Sequence, residues 1–83
     1  MDALDGNAMG GLLHEVFGTE MTAATGTCAS CGAIAQVAEF AVFLRAPGTV
    51  ARCRRCSAVL MVIVSAHGMN CVDLRGLAEL ASA

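Results

Sequence analysis

Two short stretches of the sequence, CASCGA at residues 28–33 and CRRCSA at residues 53–58, decide the fold. Each contains two cysteines separated by two residues, and together they give the pattern C-x2-C-x21-C-x2-C over Cys28, Cys31, Cys53 and Cys56. A two-residue gap bends the chain into a tight turn, here called a knuckle, that directs two sulfur atoms to one point. Two knuckles can surround one metal ion with four sulfurs, so the spacing predicts a metal site.

The two knuckles differ at the residue that follows their second cysteine. Gly32 follows the first knuckle and can adopt the positive φ that lets the backbone curl over the sulfur. Ser57 occupies the equivalent position of the second knuckle. We therefore expect the second turn either to differ from the first or to accept a small backbone strain.

The residues around the knuckles predict strands. The longest apolar run, AVLMVIV at residues 58–64, predicts a buried strand with cover on both faces. Residues 35–46 alternate only in part, which predicts a strand with a bulge near Phe40. Further strands are expected at 20–28, 49–53 and 71–76, and turns at APGT (46–49) and HGMN (67–70). The predicted fold is a small, mostly β (α+β) protein, an antiparallel zinc ribbon over residues 20–76.

The first 19 residues predict a helical segment. Apolar residues recur there with the spacing of one helical face, at Met9, Leu12, Leu13, Val16 and Phe17. Asp5 or Asn7 can cap its start, and Gly18 lies where a helix commonly ends. Gly10 and Gly11 are unfavourable inside a helix, and they indicate either a late helix start or close approach by a partner. We expect this amphipathic helix to pack across the sheet, and the tail at 77–83 to add a helical turn or to fray.

The size of the chain explains why it needs a cross-link. The 83 residues allow one domain, 1–83, whose own core gives only marginal stability. The apolar run is far shorter than the roughly 20 residues that span a bilayer. The acidic, glycine-rich N-terminus also lacks the features of a signal peptide. A cytoplasmic location without membrane contact is therefore expected, and a reducing compartment favours metal binding over disulfides.

The four thiolates favour one Zn2+ ion per chain, although iron accepts the same ligands. An iron site would make the protein a rubredoxin-like electron carrier. Rubredoxins usually surround their site with aromatic residues and strong acidic charge, whereas this chain has three Phe, no Tyr, no Trp and a net charge of −2. Two disulfides or free thiols are the remaining alternatives. Four cysteine ligands leave no position for water or substrate, so we expect a structural metal and no enzymatic activity.

A role in nucleic-acid binding rests only on the arginines of the second knuckle. Arg52, Arg54 and Arg55 surround it, and many zinc ribbons contact nucleic acid through such residues. Phosphate binding at physiological salt requires a larger basic footprint than three arginines in an acidic chain. We therefore prefer the interpretation that these residues offset the negative charge of the metal–thiolate centre, and a transcription-associated ribbon remains the alternative.

Three further residues could carry chemistry. Cys71 lies in a predicted strand and is interpreted as a small half-buried residue, with a reactive thiol as the alternative. His14 is expected on the helix surface and His67 in a turn, and either would be a ligand only if one of the four cysteines were not. The spacing supports no catalytic pairing of serine or cysteine with histidine.

Several stretches in this order resemble a family of small bacterial zinc-ribbon proteins of unknown function. They are LDGNA (4–8), EVFGTEMT (15–22), CASCGA (28–33), LRAPGTVARCRRC (44–56) and VDLRG (72–76), and they cover nearly the whole chain. The resemblance implies the same four cysteine ligands. The chain departs from the family pattern at Arg54, where a proline is expected. No activity comes with the resemblance.

The apolar content predicts a partner. Of the residues, 57% are hydrophobic, which is unusual for so short a soluble chain. A helix can cover only one side of the strand at 58–66, so one alternate set of its apolar side chains is expected to remain uncovered. The sequence therefore predicts a non-enzymatic structural-zinc protein that acts as a protein-interaction module or accessory subunit. Its partner is another protein or a second copy of itself.

Overall fold

A computed structural model describes residues 4–45 and 48–81. Within these ranges the chain forms one α-helix, α1 at Gly10–Phe17, and two 3-10 turns at Gly6–Met9 and Val37–Glu39. Its strands are β1 Thr25–Cys28, β2 Ile34–Gln36, β3 Ala41–Arg45, β4 Gly48–Arg52, β5 Val59–Ala66, β6 Met69–Asp73 and β7 Leu77–Ala81. The protein is thus mostly antiparallel β-structure with one short N-terminal helix. No helix among the described residues is long and apolar enough to cross a membrane.

The strands form two antiparallel sheets. One sheet has the order β2-β1-β7 and the other the order β3-β4-β5-β6. Register shifts interrupt the pairing of β1 with β7 between Thr27 and Cys28, and the pairing of β4 with β5 between Ala51 and Arg52. Each shift lies at the point where a strand enters a cysteine knuckle. Such irregularities bend a strand, so both sheets turn away from regular pairing where their knuckles begin.

The N-terminal helix forms as predicted, with a late start. Asp5 caps the first 3-10 turn by accepting a hydrogen bond from the Asn7 amide at 3.0 Å. The α-helix begins at Gly10 and ends at Phe17, and Gly18 caps it with φ 73° and donates its N–H to the carbonyl of His14. A Cβ atom added at Gly11 would meet nothing within 4 Å. The glycines therefore mark the helix start, and this chain makes no close approach to Gly11.

The structure corrects several predictions about the strands. The strands expected at 20–28 and 71–76 are β1 Thr25–Cys28 and β6 Met69–Asp73. The predicted bulged strand at 35–46 is instead two strands, because the 3-10 turn Val37–Glu39 separates β2 from β3. That turn is stabilised by reciprocal capping hydrogen bonds between Gln36 and Glu39. The expectation of a helical or frayed tail is wrong for residues 77–81, which form β7 and pair with β1.

Two predicted turns have different outcomes. The turn predicted at 67–70 is shorter than expected: residues 67 and 68 form it, with φ of 53° and 75°, and Met69 and Asn70 already belong to β6. Ala46 and Pro47 of the predicted turn at 46–49 lie outside the described residues, as do residues 82 and 83 of the tail. The flanking residues Arg45 and Gly48 are paired across β3 and β4.

The core draws on the helix and on both sheets. Met9 and Leu13 are almost fully buried, and they belong to one apolar cluster with Leu60, Met61 and Ile63 of β5. Val37 and Phe40, in the connection between the two sheets, belong to the same cluster. Burying a large aliphatic side chain contributes about 1.5–3 kcal/mol, so this cluster supplies most of the hydrophobic stabilisation.

The opposite face of the four-stranded sheet is also largely apolar, with Asp73 of β6 as a charged residue directly opposite Val62. Strand alternation and the register place Phe43, Val50, Val62 and Val64 on the face away from the buried Ile63, next to Cys71 and Met69 of β6. We call these six residues the outer face. The first four are only half-buried, whereas Met69 is 68% exposed and Cys71 is exposed. None of the six belongs to the core cluster or packs against it. Of the alternate set Leu60, Val62 and Val64 on β5, only Val62 and Val64 stay partly uncovered, because Leu60 is buried in the core.

We predict that Gly6→Ala destabilises the protein severely. An added Cβ would lie 1.6 Å from the carbonyl oxygen of Val37 and 2.9 Å from the Cα of Ala38. Both are backbone atoms, so either the N-terminal turn or the 3-10 turn at Val37–Glu39 has to move. The free energy of unfolding in urea should fall by about 3 kcal/mol or more.

Gly11→Ala is the matched control, because it adds the same methyl group where nothing lies within 4 Å. Removing a glycine from the first turn of α1 should raise the free energy of unfolding by up to about 1 kcal/mol. Equal stability of the two variants would contradict the close packing of Gly6 on Val37.

Candidate metal centre

The two knuckles have the same backbone hydrogen bonds. In the first, the Gly32 amide donates to the Cys28 carbonyl at 2.9 Å, and the Cys28 amide donates to the Ala33 carbonyl at 2.8 Å. In the second, the Ser57 amide donates to the Cys53 carbonyl at 2.8 Å, and the Cys53 amide donates to the Ala58 carbonyl at 2.9 Å. The first knuckle joins β1 to β2 and the second joins β4 to β5. Each sheet therefore contributes one knuckle from one of its hairpins.

The four predicted cysteines converge. Their sulfur atoms all lie within 4.8 Å of one another. The closest pairs run between knuckles, with Cys28 Sγ 3.6 Å from Cys56 Sγ and Cys31 Sγ 3.7 Å from Cys53 Sγ. A tetrahedron with metal–sulfur bonds of about 2.3 Å has sulfur–sulfur edges of about 3.8 Å. The arrangement fits one tetrahedral metal ion, and all five cysteines of the chain are free thiols.

Burial divides the four cysteines into two pairs. Cys28 and Cys53, the first cysteine of each knuckle, are buried, whereas Cys31 and Cys56 are exposed. A mostly apolar cavity of about 140 Å³ borders the two buried cysteines, with Phe40 and Leu60 in its lining. The centre therefore faces the apolar interior on one side and solvent on the other.

The knuckle amides favour deprotonation of the first cysteines. Hydrogen bonds from the amides of Cys31 and then Ser30 lower the pKa of Cys28 to about 7. The Cys56 amide is the main cause of a lowered pKa at Cys53. At Cys56 the Ala58 amide lowers the pKa, but partial desolvation of the thiol and the three neighbouring sulfurs outweigh it and raise the value to about 11. Four thiols this close lose their last protons only when a cation compensates the charge, so metal binding releases protons.

The two knuckles differ in backbone strain as the sequence predicted. Gly32 has φ 76°, and Ser57 adopts nearly the same conformation with φ 64°. The left-handed region costs a residue with a Cβ atom roughly 1–2 kcal/mol. The Arg52 guanidinium donates a hydrogen bond to the Ser57 carbonyl at 2.9 Å, which supports the strained turn. The second turn has therefore accepted the strain and kept the geometry of the first.

Distant parts of the chain anchor both knuckles. The Ala29 amide of the first knuckle donates to the carbonyl of Gly76, between β6 and β7, at 3.0 Å. In the second knuckle, Arg54 donates to the carbonyls of Glu39 at 2.7 Å and Leu4 at 3.3 Å. Both sets of contacts were missed from the sequence, because carbonyl acceptors leave no pattern in it. The only sequence feature that pointed to these contacts was Arg54, which stands where the family pattern has a proline.

The arginines of the second knuckle therefore have local structural roles. Arg52 and Arg54 bond to carbonyl groups of the protein itself, although both residues are exposed. The predicted role of offsetting the charge of the centre is compatible with their position beside the sulfurs. A nucleic-acid interface would use the guanidinium groups of all three arginines, but those of Arg52 and Arg54 already donate hydrogen bonds within the protein.

The other candidate residues lie apart from the sulfur cluster. Cys71 is on β6 and is exposed, so the expectation of a half-buried residue is wrong. His14 is exposed on α1, and His67 is exposed in the turn between β5 and β6. Within the described residues, the only group of three or more candidate metal-binding side chains is formed by the four cysteines.

Comparison with known families gives one match. Residues 1–83, the whole sequence, match DUF6510, which is described as a family of unknown function. The chain belongs to this family. The resemblance to a family of unknown function is thereby confirmed. Two of its stretches have a physical reason: Gly6 of LDGNA and Gly76 of VDLRG both lie where an added Cβ would collide with a backbone carbonyl. Neither the curated proteins nor the solved structures provide a match for this DUF6510 chain.

We predict that Ser57→Gly stabilises the second knuckle. The substitution removes the Cβ from a residue with φ 64° and keeps its backbone hydrogen bonds. The gain is partly offset because glycine makes the unfolded chain more flexible. The free energy of unfolding should rise by up to about 1 kcal/mol, measured in urea at saturating metal.

The reciprocal variant, Gly32→Ser, serves as the control because it gives the first knuckle the side chain of the second. It should lower the free energy of unfolding by about 1 kcal/mol. A stabilising Gly32→Ser substitution would contradict the shared geometry of the two turns.

Proposed function

We propose that this protein is a non-enzymatic, structural-zinc module of the zinc-ribbon type, which acts in the cytoplasm as a protein-interaction module or accessory subunit. The convergence of four sulfurs from two knuckles carries the proposal. Cys28, Cys31, Cys53 and Cys56 would bind one Zn2+ ion. Thiolates are the ligands of structural zinc, and four of them fill its coordination sphere.

The position of the knuckles supports a structural role for the metal. One knuckle belongs to a hairpin of the three-stranded sheet and the other to a hairpin of the four-stranded sheet. A shared ion would cross-link the two sheets at residues that are 22 to 28 positions apart in the sequence. Structural zinc contributes roughly 10 kcal/mol or more of apparent binding free energy in small domains. That contribution exceeds the total stability expected for the core of so short a chain.

The outer face supports the interaction role. Phe43, Val50, Val62 and Val64 form a half-buried apolar row that the core does not use. Apolar faces of this kind commonly mark protein-binding surfaces. The partner would be another protein or a second copy of the chain, and its contacts would include the Val62 and Val64 side of β5.

We predict that the purified protein contains one zinc ion per chain and is colourless. Strong chelator should abolish its cooperative unfolding, because the core alone is too small to maintain the fold. Elemental analysis and circular dichroism during chelation measure both properties. A red protein with thiolate-to-iron absorption would contradict zinc and favour the rubredoxin-like alternative.

Two cysteine variants make the control for this prediction. Cys53→Ser should lose the metal and the folded state, whereas Cys71→Ser should retain the metal and cost less than about 2 kcal/mol of stability. Cys53 lies in the sulfur cluster and Cys71 is exposed on β6. Equal loss of zinc from both variants would show that the ligands are misassigned.

We predict that Phe43→Ser weakens partner binding while Leu44→Ser does not. The two residues are neighbours on β3 but point to opposite faces of the sheet, so both substitutions remove an apolar side chain from the same strand. Capture from the native cell followed by mass spectrometry should identify proteins that the wild type and Leu44→Ser retain and Phe43→Ser loses. Identical binding by all three proteins would contradict the role of the outer face.

A further inference from the structure

The outer edge of β6 is open. This strand is the last in the order β3-β4-β5-β6, and no strand of the described residues pairs with its other side. Residues 69–72 are all exposed, and Met69 is 68% exposed. Natural edge strands usually carry Lys, Pro or a bulge that prevents pairing with another chain. Residues 69–73, MNCVD, contain neither Lys nor Pro, and β6 pairs with β5 without a register shift.

The charge at the end of β6 is neutralised within the chain. Asp73 accepts hydrogen bonds from the Arg75 guanidinium at 2.7 and 3.0 Å, which holds the pKa of Asp73 at about 2. The remaining residues of the strand are uncharged. The edge therefore presents a neutral strand to any partner, although the chain as a whole has a net charge of −2.

The hairpin register determines which backbone groups point outward. A two-residue loop with positive φ at both positions makes its flanking residues, Ala66 and Met69, a hydrogen-bonded pair. Hydrogen-bonded and non-bonded pairs alternate along an antiparallel ladder. Met69, Cys71 and Asp73 therefore bond to β5, and the amide and carbonyl groups of Asn70 and Val72 point to the open edge.

We propose that a second copy of this chain pairs with the open edge of β6, antiparallel and about a two-fold axis at Cys71. This inference rests on the proposed interaction function and names its partner. Asn70 of each copy lies opposite Val72 of the other copy. Each outward amide and carbonyl group of these residues can then form a hydrogen bond with the opposite strand. The four strands of each copy then form one continuous sheet of eight strands.

The register determines how a second copy fits against the edge. The outward groups flank Cys71 symmetrically, so a register centred there pairs both Asn70 and Val72, whereas a register centred on either of these residues pairs only that one within the strand. Directly opposite residues point to the same side of a sheet, so the outer faces of both copies become continuous. Cys71 faces its own copy as a non-hydrogen-bonded pair, with a Cα–Cα distance of about 4.5 Å.

The small contact implies a reversible dimer. A stable interface buries about 800 Å² per partner, which is about one sixth of the 4899 Å² surface of this chain. Pairing of two five-residue strands provides only part of that area. The dimer should therefore dissociate on dilution, and single changes at Cys71 should shift the equilibrium measurably.

Sedimentation velocity of the zinc-loaded protein under reducing conditions tests the proposal. The wild type and Cys71→Ser should both show a monomer–dimer equilibrium that depends on concentration. Cys71→Lys places two positive charges opposite each other and should raise the dimer dissociation constant at least about tenfold. Monomeric wild type at all accessible concentrations, or a dimer unaffected by Cys71→Lys, would overturn the proposal.

Oxidation with diamide tests the register. Two Cys71 thiols from two copies would form one disulfide and pass two electrons and two protons to diamide, which becomes the hydrazine. Mass spectrometry should find the Cys71–Cys71 peptide. The double variants Cys71→Ser/Asn70→Cys and Cys71→Ser/Val72→Cys should cross-link at least about tenfold more slowly, because these residues do not face their own copies in this register. Equal rates at the three positions would overturn the register.

Two measurements separate this proposal from the proposed function. Zinc content reports on the metal centre. The Phe43→Ser variant reports on the outer face, because Phe43 lies on β3, at the opposite edge of the sheet from β6. A monomer that keeps its zinc and loses a partner with Phe43→Ser would overturn the edge dimer alone. A protein without bound metal would overturn the zinc assignment, whether or not it dimerises.

Discussion

Four sulfur atoms from two separate hairpins meet within 4.8 Å, and the arrangement of both sheets depends on this convergence. Each knuckle is the tip of a hairpin in a different sheet, so the sulfurs can meet only when the two sheets have the correct relative position. The convergence is also electrostatically costly without a cation. Amide hydrogen bonds lower the pKa of Cys28 to about 7, while desolvation and the neighbouring sulfurs raise that of Cys56 to about 11. A divalent metal ion removes this conflict by compensating the thiolate charge.

The knuckles show how two different sequences reach one geometry. Gly32 adopts its positive φ at little cost, whereas Ser57 adopts it with strain that the Arg52 hydrogen bond helps to offset. Neither knuckle stands alone, because the first bonds to Gly76 and the second bonds through Arg54 to Glu39 and Leu4. The ends of the chain thus take part in positioning the sulfurs. This dependence gives a physical reason why recognisable sequence stretches extend from the N-terminus to VDLRG.

The cysteine cluster and the helix could be predicted because their patterns are local. A two-residue spacing fixes a knuckle, and the spacing from Met9 to Phe17 fixes a helical face. The division of residues 35–46 into two strands was not predictable from a local pattern. The 3-10 turn depends on the burial of Val37 and on the close packing of Gly6 against the Val37 carbonyl. Strand β7 was missed for a similar reason. LAELA has good helix formers, and only its pairing with β1 makes it a strand.

The two faces of the four-stranded sheet account for the high apolar content. Along β5, Met61 and Ile63 point to the face that carries the helix and are almost fully buried. Val62 and Val64 alternate with them and stay half-buried on the outer face. A helix of eight residues covers one face of a sheet and cannot reach the other. More core would require more chain, so the apolar residues of the outer face exceed what this fold can bury by itself. In the proposed function, contact with another molecule would cover these residues on β3, β4 and β5, and a sheet extended across β6 would enlarge that surface without any additional secondary structure.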